Sequence, residues 1–264
     1  MPAAATPWTA IILAGQRPGE NGFAESHGLS AKALIPVGGK PMLGRVARTL
    51  LASPSIGKIV VLAQEPNALL VNGLSWMAEE PRISTLVSQD GISASIGRVA
   101  GGADAPWPVL VTTADHALLR PDMVEAFIAG TRGAEASFAI VERAVVEQAH
   151  PETKRTWLKF TEGHYTGANL FGFASPSAAK VFEFWARAER DRKKALRLAM
   201  YFGPMLFLRA FTRTISLDAA VAKASGSLGV KLKAVRLPFA EAAIDVDKQA
   251  DLELVEQILA GAEA

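Results

Sequence analysis

The stretch from Thr9 to Leu43, TAIILAGQRPGENGFAESHGLSAKALIPVGGKPML, decides how the rest of the chain is read. Ala10 to Ala14 is a short apolar run with the length and composition of a buried strand. It breaks into a loop carrying Gly15, Pro18, Gly19, Gly22 and Gly28, with Arg17 near its start and Lys32 at its end. Glycine lets backbone N–H groups approach an anion closely and the two cations supply charge, so the loop suits a phosphate; an ordinary surface turn is the alternative. Two familiar phosphate loops are excluded by spacing. No GxxxxGK[ST] string occurs, and Gly15-Gln16-Arg17 does not begin a GxGxxG.

Leu13-Ala14-Gly15 with Arg17, followed by Lys32-Ala33-Leu34-Ile35-Pro36-Val37-Gly38-Gly39-Lys40-Pro41-Met42-Leu43, resembles the signature of the MobA-like NTP transferases. That family's pattern is roughly LAGGxxxR and then KxLxPxxGKPxL. Gln16 stands where a second Gly is usual, and Arg17 comes early. The resemblance implies that Leu13, Ala14, Gly15 and Gln16 contact a nucleotide and that Lys32 and Arg17 are catalytic cations. It also implies a three-layer, Rossmann-like α/β fold of the GT-A-like nucleotidyltransferase kind.

Outward from this stretch, strands alternate with helices. Pro41 to Ser53 carries Leu43, Val46, Leu50 and Leu51 at helical spacing. Lys58 to Ala63 is a β-branched run suited to a strand covered on both faces. A helix over Asn67 to Met77 and a strand over Arg82 to Val87 follow, then a small-residue helix after Gly91. Trp107 to Thr113 is the clearest strand and ends on Ala114-Asp115-His116. A helix from Pro121 and a strand over Ala136 to Val141 come next. Repeated units of this kind imply a mostly parallel sheet with helices on both faces, and ligands outside the carboxyl ends of its strands. Tyr165 to Ala174 and Val230 to Leu237 read as strands, and so does Ala243 to Val246. Helices are expected over Ser177 to Arg190, Ala195 to Phe202, Pro204 to Phe211, Ser216 to Ala224 and Lys248 to Ala260. We expect one domain over 1–264, with a helical acceptor-side insertion at about 176–228.

Composition excludes several classes. The 264 residues are half hydrophobic and one-fifth charged, as in a globular chain with a substantial core. A formal net charge of +2 gives no general polyanion surface, so no nucleic-acid partner is expected. The absence of cysteine excludes disulfides, thiolate metal sites and thiol nucleophiles. No secretory signal or membrane span is legible, and a cytoplasmic enzyme is expected, with a homodimer open.

Three further stations carry chemistry. Asp115 directly follows a buried strand, where an acid is costly unless it faces a cleft and binds something; helix capping is the alternative. Its segment resembles the family's ADxPLLxP, which implies nucleotide and metal contact. Asp245-Val246-Asp247 would put both acids on one face of a strand, and the run through Asp251-Leu252 resembles the family's DxDTPxDL ending. Asp245 is then the first choice of metal ligand, and Asp247 either a second ligand or a cap for the next helix. Gly91-Ile92-Ser93-Ala94-Ser95-Ile96 is similar to GxSxSL, so Gly91, Ser93 and Ser95 meet a base or phosphate, or else Ser93 caps its helix. Lys154, Arg155, Gly167 and Asn169, with Lys159 nearby, are expected on the acceptor side.

The resemblance implies transfer of a nucleoside monophosphate from an NTP, CTP or GTP favoured, to a phosphorylated small molecule or cofactor, with Mg²⁺ and release of pyrophosphate. A glycosyltransferase of related fold and a non-catalytic nucleotide-binding regulator are the alternatives.

Overall fold

Side chains alternate across β1 (Trp8–Leu13), so that Ala10 and Ile12 enter one core while Ile11 and Leu13 enter another. Burial on both faces is what a central strand of a parallel sheet requires, and it explains the unbroken apolar run. The computed structural model describes residues 6–16, 22–71, 73–190 and 214–262. Nine further strands are described: β2 (Pro36–Val37), β3 (Lys40–Pro41), β4 (Ile56–Ala63), β5 (Ile83–Val87), β6 (Val109–Thr113), β7 (Ala136–Glu142), β8 (Leu158–Lys159), β9 (His164–Phe173) and β10 (Leu232–Arg236).

The main sheet runs β10-β7-β9-β6-β1-β4-β5, with β8 on β9. The pairs of β1 with β4 and β6, β4 with β5 and β7 with β10 are parallel. β9 is antiparallel to β6, β7 and β8. From β1 the chain moves to β4 on one side and later to β6 on the other. A crevice therefore opens at the carboxyl ends of β1 and β6, the usual ligand position of such a sheet.

Helices cover both faces. Leu43, Val46 and Leu50 of the Met42–Ala52 helix and Met123, Val124 and Phe127 of Pro121–Gly130 pack on the Ala10 and Ile12 side. Ile96 and Val99 of Ile92–Val99, with Phe182 of Ala179–Arg190, pack on the Ile11 side. A smaller core of Ile35, Val37, Met42, Ile244, Val246, Leu252 and Val255 fastens the C-terminal helix Gln249–Ala262 beside the crevice.

Several elements differ from the expectations. The helix over Asn67 to Met77 is two short turns, Pro66–Leu69 and Trp76–Glu79, because Gly73 at φ 92° breaks the spiral between them. Ala243 to Val246 forms no strand. Its backbone goes from a 3-10 turn, Ala240–Ala243, into an extended run anchored by the Val246 N–H on the Asp115 carbonyl at 3.1 Å. The Leu217–Leu228 helix runs past Ala224 to stop at Gly229, φ 62°, a left-handed cap that glycine adopts without strain. The helices expected over Ala195 to Phe202 and Pro204 to Phe211 lie outside the described residues.

Candidate active site

Lys32 begins a 3-10 turn, Lys32–Leu34, whose Ala33 and Leu34 are buried. The turn leads into the β2–β3 hairpin, where Gly38 and Gly39 take φ 56° and 69°, values a two-residue hairpin turn demands. With its neighbours packed inward, the lysine stem points into the crevice. Its Nζ lies 2.5 Å from Asp115 Oδ2 and 2.6 Å from Asp247 Oδ1. Burial works against the Lys32 charge, but Asp115 and Asp247 outweigh it and hold the ammonium above its usual pKa.

Asp115 follows β6 and is held from two directions. Thr113 donates to its Oδ1 at 2.5 Å, and its carbonyl accepts the Val246 N–H. That bond brings the Asp245–Asp247 run to the site. The two acids of the run then part: Asp247 turns to Lys32, while Asp245 receives Arg155 and, at 3.0 Å, the Asn169 amide. Burial pushes the Asp245 carboxyl up; Arg155 opposes this, and Asp247 and Asp115 add to it. The extended-strand alternation would have aimed both acids alike, but a segment with no partner strand is free to twist between them.

A polar cavity of about 370 Å³ opens beside Asp245, lined by Lys154, Arg155, Gly167, Asn169 and Lys248 among others. Of the residues expected on the acceptor side, Lys154, Arg155, Gly167 and Asn169 border it and Lys159 does not. Leu13, Ala14, Gly15, Lys32 and Asp115 line a second, adjoining hollow at the β1 and β6 ends. Gln16 is not among the residues lining it, and Arg17 lies outside the described residues.

In the Gly91 loop both serine hydroxyls have protein partners. Ser95 is buried, and its hydroxyl is occupied by the backbone of Gly91, at 2.7 Å, and of Gln89. Ser93 donates to Glu189 Oε2 at 2.6 Å, and the N–H groups of Ile92 and Ser93 point to the same carboxylate. A side chain from the Ala179–Arg190 helix thus satisfies the start of Ile92–Val99, so this end of the expected insertion packs against the Gly91 loop. A Cβ on Gly91 would stand 3.0 Å from that carboxylate.

Gln64 carries no sequence signal, and Asp251 carries one only through the DxDTPxDL-like ending. Gln64, just past β4, accepts the Gln16 N–H at 3.0 Å and donates to the Gln16 carbonyl at 2.6 Å. It crosses Gly15 so closely that a Cβ there would lie 2.9 Å from Oε1 and would shift the amide from its place on Gln16. Asp251 accepts the N–H groups of Asp247 and Lys248 at 3.1 and 3.2 Å. It thereby caps the C-terminal helix, the role expected as the alternative to metal ligation for Asp247.

Residues 10–196, well over half of the sequence, match the MobA-like NTP transferase domain. The chain belongs to the MobA-like NTP transferase family. Among solved structures, this family member is similar to a hypothetical transferase from Thermus thermophilus, at 29% identity over 93% of this chain and 99% of that one, TM-score 0.78. It shares its fold with a 4-diphosphocytidyl-2C-methyl-D-erythritol synthase from Anaerococcus prevotii, at 13% identity over 96% and 97% of the two chains, TM-score 0.55. The same holds for a CMP:2-keto-3-deoxy-manno-octonic acid synthetase complexed with CTP, at 14% identity over 97% and 99%, TM-score 0.59. No curated protein matches the sequence. No helix among the described residues of this MobA-like transferase is long and apolar enough to cross a membrane.

Proposed function

We propose that the chain transfers a nucleoside monophosphate from an NTP to a phosphorylated small molecule, releasing pyrophosphate. The observation that carries this reading is the convergence of Lys32 with Asp115 and Asp247 at the carboxyl ends of the central strands, beside a polar cavity of about 370 Å³. The nucleotide lies over Leu13 to Gln16, in a loop fixed by Gln64. Cytidine compounds in the names of two structural neighbours favour CTP for the first trial, with GTP next.

The acids fit a divalent cation, because two carboxylate oxygens already approach one positive centre, Lys32 Nζ. Asp115 and Asp247 would hold Mg²⁺, which supplies charge neutralisation on the triphosphate when bound. Asp245, engaged by Arg155 and Asn169, is the poorer candidate and instead shapes the acceptor cavity. Lys32 neutralises charge that builds on the α-phosphate and on the departing pyrophosphate. Lys154 and Lys248 border the acceptor cavity and attract an anionic acceptor, whose phosphate oxygen attacks the α-phosphorus. The reaction needs no nucleophilic side chain. We further propose a single domain over 1–264.

The test is pyrophosphate release from each of the four NTPs with Mg²⁺ and pooled phosphorylated metabolites. Release that depends on one NTP and one acceptor is expected. Tight NTP binding without release would favour a regulator, and turnover of a nucleotide-sugar a glycosyltransferase.

A further inference from the structure

We infer that Lys32 keeps free divalent cations off the Asp115–Asp247 pair, so that metal enters this site only in company with a triphosphate. This deepens the proposed function and rests on it. The ammonium occupies the point on which both carboxylates converge, 2.5 and 2.6 Å from their oxygens. A cation at that point would stand against the like charge of the ammonium already seated there.

Asp115 has little freedom to turn elsewhere, and Asp247 is held at its backbone. Asp115 Oδ1 is engaged by Thr113, the Asp115 carbonyl by Val246, and the Asp247 backbone by Asp251. What can move is Lys32, a charge on a flexible four-carbon stem. In the free protein it has nowhere better to go, because Asp245, the remaining acid of the cluster, is engaged by Arg155 and Asn169. Two carboxylates and one ammonium leave a net charge of about −1, a weak draw for a hard cation that prefers several anionic oxygens. Among the described residues no group of three or more His, Asp or Glu converges to offset this.

A triphosphate changes both sides of the exchange. Its oxygens give Lys32 new acceptors, which frees the two carboxylates, and they add ligands for the cation. Each partner therefore strengthens binding of the other by the same factor, as linkage demands. The site thus recognises a metal–polyphosphate complex and discriminates against the bare ion.

The experiment uses Mn²⁺ as the metal and inorganic tripolyphosphate as a base-free triphosphate, with protein-bound manganese measured after centrifugal filtration. Wild type retains manganese at least tenfold more tightly with tripolyphosphate than without it. Lys32→Gln binds Mn²⁺ alone at least tenfold more tightly than wild type, Lys32→Arg does not, and adding Asp115→Asn to Lys32→Gln removes the gain. Wild type binding Mn²⁺ equally well in both conditions overturns the inference, even if Lys32→Gln fails to fold. A folded Lys32→Gln protein with no gain overturns it too. Absence of pyrophosphate release with every NTP would defeat the proposed function while leaving this manganese result standing.

Discussion

Asn169 donates its side-chain amide to Asp245 at 3.0 Å from a left-handed backbone, φ 44°, and is the sole described residue other than glycine with positive φ. It lies in β9 near the register shift between β9 and β7, where the ladder passes from Phe138 to Ile140. The irregularity turns this residue out of the sheet toward the acid.

Asn169 tolerates this conformation better than most residues, so replacements separate the backbone from the amide. Asn169→Gly loses only the hydrogen bond, whereas Asn169→Ala also carries the strain of a Cβ in the left-handed region. Urea unfolding should place the Ala variant about 1 kcal/mol below the Gly variant, the reverse of their usual order in a strand. Equal stability would show that the left-handed backbone is no constraint here.

Lys32→Ala removes the cation that joins the two acids. Pyrophosphate release should fall by a factor on the order of 100 or more, the usual effect of losing one preorganised electrostatic contact. An unchanged rate would remove Lys32 from the reaction.

The strands that build the crevice were legible because β1, β4 and β6 are buried on both faces, and two-sided burial leaves a continuous apolar run. Asp115 was legible for a related reason, since an acid ending such a run has to face something polar. Lys32 was legible through the segment around it, which forms one turn and one hairpin. Gln64 and Glu189 were not, because each acts through a contact set by tertiary packing, with sequence separations of 48 for Gln64 to Gln16 and 96 for Glu189 to Ser93. Nor could alternation foresee that Asp245 and Asp247 diverge, since that follows from the lack of a partner strand.

His116 is fully buried behind Asp115, and burial lowers its pKa to about 4 against Asp115, which raises it. Above pH 6.5 the ring is neutral in both folded and unfolded chains and contributes no pH dependence. As pH falls through that value the unfolded chain takes up a proton that the fold refuses. Stability should decline until pH approaches 4, by about 3 kcal/mol in total from this group. Urea midpoints measured against pH in EDTA check this. His116→Asn should flatten the slope across that window; a slope unchanged by the substitution would assign it to other groups.

The last prediction separates three acids that the sequence crowds into seven positions. Asp251 caps the C-terminal helix through the N–H groups of Asp247 and Lys248, so Asp251→Ala should lower stability by about 0.5–2 kcal/mol, the range for a lost cap. Asp247 is largely exposed and spends its carboxylate on Lys32, so Asp247→Asn should leave the urea midpoint nearly unchanged. The same change should weaken Mg²⁺-dependent nucleotide binding and turnover, because an amide keeps the shape but lacks the charge that a hard cation requires. Asp245→Asn removes the charge facing Arg155, a nearly buried guanidinium, so stability and acceptor binding should fall together while Mg²⁺-dependent nucleotide binding persists. Calorimetry with CTP and GTP, in Mg²⁺ and in EDTA, separates the cases. Loss of the metal dependence in Asp245→Asn, with Asp247→Asn like wild type, would make Asp245 the metal ligand and leave Asp247 as a counter-ion to Lys32.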